Sequence, residues 1–310
     1  MSATPTTPDR PDPQTAPAVP TAPTAPTAPT APTAPTAPTA PTDGGGNPLG
    51  LRDDVDAYYV PLPDGSFEPT VHAQGAWLPH EQHMAPVTGL VAHCLQAFNA
   101  REDLQLARLT VEILGVIPAR PTTVTCETVR AGRTIELDEA TVTIAGRVAL
   151  RARAWRLARV DTAAVAGDDT PAIPGPHELP PLDLGGLWGG GFIASLELRA
   201  SPERVPGRGH AWARPTKRLV EGVDIHPVAA YLGVVDTANG VATRLDPSQW
   251  MFPNTDLSVH LVREPSAGWV GFDTAVIIGD SGVGLTSSRL HDAHGPVGRC
   301  EQILTVRPMA

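Results

Sequence analysis

Cysteine is scarce in this chain of 310 residues. Cys94, Cys126 and Cys300 are too few and too scattered for a disulfide framework or a zinc site, and they read as small buried residues of a reducing compartment. Lysine is nearly missing. Lys217 is the only one, so almost every cation is arginine, which speaks of GC-rich coding more than of function. The formal charge of -10 and the lack of a basic stripe argue against a nucleic-acid binder. No apolar run approaches the roughly 20 residues that cross a bilayer. No charged segment followed by an apolar one stands at the start, so no signal peptide is read and a cytoplasmic protein is expected. No nucleophile elbow and no phosphate-cradling glycine loop occur. His291-Asp292-Ala293-His294, next to Gly295, reads as a turn rather than a metal site, and no cofactor or metal is expected.

Proline is abundant, with 35 residues. From Pro20 to Pro41 it recurs every third position in an Ala-Pro-Thr repeat with nothing large and apolar to bury, so residues 1–48 read as a solvated tail of polyproline II character. Asp43-Gly44-Gly45-Gly46 reads as a flexible joint at its end.

The remainder alternates apolar and polar residues, and its second half repeats the order of its first. Leu109-Thr110-Val111-Glu112-Ile113 is echoed by Leu257-Ser258-Val259-His260-Leu261, each followed after a short gap by proline, Pro118 and Pro265. Each half carries an apolar helical stretch opened by histidine, over 83–98 and 226–239, and each closes with a strand opened by glycine, from Gly146 and Gly295. Repeats constant in order but weak in identity are a clue to architecture. Val87, Leu90, Val91, Cys94, Leu95 and Phe98 fall at helical spacing. Strands are expected over 107–114, 122–130, 135–144 and 147–157, with hairpin turns at Ala131-Gly132 and Ala145-Gly146. Residues 161–181 read as a linker. In the second half, strands are expected over 192–199, 210–215, 256–262, 268–278, 283–292 and 297–306, and Asn239-Gly240 as the stop of the second helix.

Several short motifs in this order carry a resemblance. Glu127 to Thr134 resembles an E-x-x-R-x-G-R/N-S/T hairpin. Trp212-Ala213-Arg214 resembles a W-x-R strand, and Val234-Val235-Asp236 a helix-borne aspartate. Asp256-x-Ser258 with Arg263 and Trp269 resembles the next strand and turn, and Gly295 to Gln302 a closing G-x-x-x-x-x-x-Q strand. Together, over about residues 67–306, the chain resembles acyl-CoA thioesterases of type II in their actinobacterial thioesterase-like branch. The resemblance implies an α+β double hotdog, two tandem units in which a curved antiparallel sheet wraps a central helix. The units would be an N-terminal hotdog at 49–160 and a C-terminal hotdog at 185–310, joined by a linker at 161–184. It implies an acyl-CoA or other acyl thioester as substrate, no membrane span, and homo-oligomers formed through the outer hotdog faces.

It also implies the site. An aspartate, a threonine and a glutamine activate a water between the two hotdogs. Asp236 takes the aspartate position and Gln302 the glutamine position. Asn254 stands at the threonine position, with Thr255 its neighbour. His83, Met84 and Ala85, at the first helix start, stand where relatives have a glycine pair near the thioester. A carboxylate can take a proton from water, an amide or hydroxyl can position it, and free N–H groups at a helix start can stabilise an oxyanion.

Aligning the halves sets His93 opposite Asp236, Leu106 opposite Asn254 and Arg153 opposite Gln302, so one hydrolytic site per chain is expected. Each residue also has a plain structural reading: Asp236 near a helix end, Asn254 in a loop, Gln302 on a strand surface, His93 in the core. The alternative functions are a non-catalytic acyl or acyl-CoA binding protein and, further off, a hotdog dehydratase or hydratase.

Overall fold

The computed structural model describes residue 47 and residues 49–309, so the expected tail lies outside the described residues apart from Asn47. The first half runs β1 (Ala57–Pro61), β2 (Phe67–Pro69), α1 (Met84–Phe98), β3 (Leu104–Ile113), β4 (Thr122–Arg130), β5 (Ile135–Ile144) and β6 (Arg147–Ala158). The second runs α2 (Gly191–Ala194), β7 (Leu196–Ala200), β8 (Arg208–Pro215), β9 (Arg218–Val220), α3 (Pro227–Val235), α4 (Ala238–Val241), β10 (Trp250–Met251), β11 (Asp256–Leu261), β12 (Val270–Ile278), β13 (Val283–Asp292), β14 (Gly295–Thr305) and β15 (Arg307–Pro308). Thirteen strands make one sheet in the order β7-β8-β12-β13-β14-β11-β3-β6-β5-β4-β2-β1-β9. Apart from β9, this order reads symmetrically outward from the antiparallel β11–β3 pair.

α1 and α3 pack against each other and against the sheet, α1 on β4 and β5 and α3 on β8 and β12. Val87, Leu90, Val91 and Leu95 of α1 are fully buried, each contributing roughly 1.5–3 kcal/mol of burial. α1 and α3 cross at glycine: a Cβ on Gly89 would lie 2.8 Å from Gly233 Cα. That contact sets how closely the two helix starts and ends approach. Both helices begin at a histidine that caps its own first turn, His83 accepting from the Ala85 N–H and His226 from the Val228 N–H. Proline follows in the first turn of each, where it costs no hydrogen bond.

The expected strand over 192–199 is split. Residues 191–194 form α2, and the strand begins at Leu196. The reason is close approach. A Cβ on Gly191 would lie 1.9 Å from Val71 O, and Gly190, at φ +89, packs on Gly75 O, so the chain must turn there before it can extend. The second helix also ends early. It stops at Val235, Asp236 caps it, and Asn239-Gly240 lies inside the separate turn α4.

Sheet register corrects one alignment of the halves. Ala145-Gly146 is the two-residue turn between Ile144 and Arg147, whereas Gly295 is already paired with Asp292. Gly295 therefore matches Arg147, not Gly146. Thr110 faces Arg153 and Ser258 faces Glu301 at equivalent places beside the central pair, so the residue matched to Gln302 is Ala154 rather than Arg153.

Below the C-terminal end of α1 lies a buried ionic cluster. Arg156, 2% exposed, donates to Leu95 O at 2.6 Å and to Asn99 O, and pairs with Asp138 at 2.7 Å. Thr128 donates to the same Asp138, and Asn99 to Glu136. The guanidinium thus caps the helix carbonyls while two buried carboxylates balance its charge. Asp292 is spent in a comparable way, on Arg263, Ser266 and the His294 N–H; of the expected turn, Ala293-His294 forms it, and His291 and Asp292 end β13. Among the described residues no set of three His, Cys, Asp or Glu is placed to hold a metal ion, and no helix is long and apolar enough to cross a membrane.

Candidate active site

Where α3 ends, three residues distant in sequence meet. Asp236, 6% exposed, sits at the helix C-cap. Gln302 lies on the inner face of β14 and is fully buried. Asn254 lies just before β11, on a segment zipped to β14 by the Thr255 N–H to Ile303 O and the Thr305 N–H to Pro253 O. Asn254 Nδ2 and Gln302 Nε2 both donate to Asp236 Oδ1, each at 2.8 Å. Asn254 Nδ2 also donates to Asp256 O at 2.9 Å. One carboxylate oxygen is therefore saturated. The other, Oδ2, faces His83 Nδ1 at 3.8 Å. Gln302 Oε1 is buried and has no hydrogen-bond partner.

The electrostatics follow from this packing. Burial pushes the Asp236 carboxyl up to about 6, and the amides of Asn254 and Gln302 hold it from going higher. Burial pulls the His83 imidazole down to about 3, so it is neutral. Its Nδ1 accepts from the Ala85 N–H at 3.1 Å, and its ring lies 4.3 Å from that of Phe192 at 35°. Burial also lifts the nearby Glu81 to about 7, against hydrogen bonds from the Leu78 and Trp77 backbone. Trp77, Trp188 and Phe252 form an edge-to-face cluster with centroids 4.9–5.7 Å apart, and Asn239 donates to Phe252 O.

The arrangement brings together Asp236, Asn254, Gln302 and His83. Met84 is buried in the first turn of α1. Two expectations change. Thr255 does not join the group. Its N–H goes to Ile303 and its C=O to Ile113, which aligns its side chain with the exposed face of the sheet. Ala85 offers no free N–H, because His83 occupies it. Phe192 escaped sequence reading. The signal was the Gly189-Gly190-Gly191 run before it, a mark of close backbone approach.

Among curated proteins no match is found. Solved structures do match. A protein of unknown function with a hot dog fold from Alicyclobacillus acidocaldarius is 14% identical, with a TM-score of 0.63 over 81% of this chain and 97% of that one. Acyl-CoA thioesterase II TesB2 from Mycobacterium marinum is 17% identical, with a TM-score of 0.56 over 72% and 90%. The tesB protein of Mycobacterium avium subs paratuberculosis is 18% identical, with a TM-score of 0.54 over 73% and 86%. These likenesses show a hotdog fold. Two family descriptions match the sequence itself, "Acyl-CoA thioesterase N-terminal domain" over residues 73–157 and "Acyl-CoA thioesterase C-terminal domain" over residues 167–306. Between them they span the helices, the sheet from β3 onward and the Asp236 cluster, and the chain belongs to the acyl-CoA thioesterase family.

Proposed function

We propose that this protein hydrolyses acyl-CoA thioesters to free acid and CoA with a water activated by Asp236. The carrying observation is the asymmetry of that carboxylate, with Oδ1 held by two amides and Oδ2 left open. A water between Asp236 Oδ2 and the unpartnered Gln302 Oε1 would give a hydrogen to each and keep a lone pair for the thioester carbon. Asp236 acts as general base, Gln302 orients the water, and Asn254 fixes the carboxylate in place of a threonine. His83 and Met84 line the approach from the start of α1.

The architecture supporting this is a double hotdog, with an N-terminal unit at 49–160, a linker at 161–184 and a C-terminal unit at 185–310. The symmetric strand order and the paired helices favour it. Only one water-activating site is expected per chain. The positions matched to Asp236, Asn254 and Gln302 are His93, Leu106 and Ala154, and the Arg156–Asp138 pair fills the space at the end of α1.

The test is CoA release from purified protein across a panel of acyl-CoAs, read with a thiol reagent, beside Asp236→Ala. Release well above that variant supports hydrolysis. Binding of acyl-CoA with release no faster than the variant would instead mark a binding-only protein.

A further inference from the structure

We propose that the Nε2–H of His83 donates the hydrogen bond that stabilises the thioester oxyanion, an assignment that rests on the hydrolytic reading above. In an imidazole with one proton, the nitrogen that accepts a hydrogen bond is the bare one. His83 Nδ1 accepts from the Ala85 N–H, so the proton is on Nε2. Among the described residues that N–H has no partner, although the side chain is only 13% exposed. The ring cannot easily turn away. Its backbone N–H is tied to Ala73 O at 2.8 Å, and Phe192 lies against its face.

Position and charge fit the role. Nδ1 lies 3.8 Å from the open oxygen of Asp236, and Nε2 stands across the same ring from that contact. A water on Asp236 and a carbonyl oxygen on Nε2 would be neighbours, which attack requires. Burial keeps the ring neutral, so it donates without carrying charge into the site. The start of α1 has also given up backbone donors that an oxyanion could use. Ala85 is occupied by His83, and Pro86 has no N–H. Helix capping alone explains His226, which makes the same bond at 3.3 Å but is 41% exposed and has Glu264 at 3.8 Å from its Nε2. It does not explain an Nε2–H without a partner on a ring that is 13% exposed and set against a catalytic carboxylate through its other nitrogen.

The step balances. Water oxygen bonds to the carbonyl carbon while Asp236 Oδ2 takes one proton, and the carbonyl pair moves to the oxygen held by His83. When C=O reforms, the C–S bond breaks and the thiolate takes the proton from Asp236. His83 gains and loses nothing.

His83→Asn is the variant of choice, since asparagine still caps the helix but places no N–H where Nε2 stands. The kcat for CoA release should fall about 10²–10³-fold, with KM and the melting temperature little changed. A kcat within threefold of wild type overturns the assignment. Replacing His83 by Nε2-methylhistidine, which keeps the capping nitrogen, should give the same loss, and full activity there overturns it equally. Nitrogen NMR of the wild-type protein should show the Nε2–H tautomer at His83; an Nδ1–H tautomer overturns the assignment whatever the activity. A wild type no faster than Asp236→Ala would remove the hydrolytic reading and this one together, whereas an active wild type with an equally active His83→Asn would remove only this one.

Discussion

Replacing the base of the site should make the protein more stable, by an amount that depends on pH. Asp236→Asn is nearly isosteric. Its Oδ1 can still accept from Asn254 and Gln302, and an uncharged Nδ2 would stand where Oδ2 faces His83 Nδ1, removing a contact between two acceptors. In the wild type, burial raises the carboxyl from 3.8 to about 6, which corresponds to about 3 kcal/mol of folding free energy. The folded chain favours the protonated form. The stability this gives is fully present below the unfolded value and is lost as pH rises through about 6. The variant carries no such charge. It should therefore exceed wild type by about 3 kcal/mol near pH 8, and by about 1 kcal/mol near pH 4.5, where the native carboxyl is mostly neutral. His83 titrates with the opposite slope. Burial lowers it, so its share of stability is lost as pH falls below 6.5 toward about 3. Both proteins contain His83, so subtracting their urea unfolding curves isolates the carboxylate. An equal difference at the two pH values, or a less stable variant near pH 8, would refute the placement of a buried, partly compensated carboxylate. The same variant should have lost CoA release, a trade of stability for function.

Four further outcomes follow from the same geometry. CoA release by the wild type, read from thioester absorbance, should rise with pH through about 6 and then level, because the base must be ionised; a flat profile across that range contradicts the role of Asp236. Gln302→Ala should lower kcat about 10²-fold and move that limb upward, since the lost hydrogen bond had lowered the carboxyl pKa; an unmoved limb would count against the contact. Thr255→Val should leave kcat within twofold, because the exposed side chain touches none of the group, and a tenfold loss would return threonine to the site. Arg156→Met should cost about 3–5 kcal/mol in urea unfolding by stranding the buried Asp138 without its cation, while Glu136 keeps Arg101; a loss under about 1 kcal/mol would show the pair to be dispensable.

Much of this protein was written into its order of residues. Apolar positions at helical spacing marked α1, and alternation with turn pairs marked β3 to β6 and β11 to β14, because a helix face and a pleated face each impose a period that local sequence must obey. Asp236, Asn254 and Gln302 could be named only through the resemblance carried by short motifs, since 66 residues separate the first from the last. Each alone had an ordinary structural reading. Tertiary packing decided the rest. The glycine crossing of α1 on α3 brings His83 to the end of the partner helix, and backbone approach at Gly190 and Gly191 turns Phe192 onto its ring. The turn at Ala145-Gly146 shifts the register so that Ala154, not Arg153, matches Gln302. Zipping residues 253–255 to β14 puts Asn254 inward and Thr255 outward. Local sequence sets which faces are apolar, but which polar groups are sealed together depends on register and helix approach, and those are settled only when the strands have paired and both helices pack against the sheet.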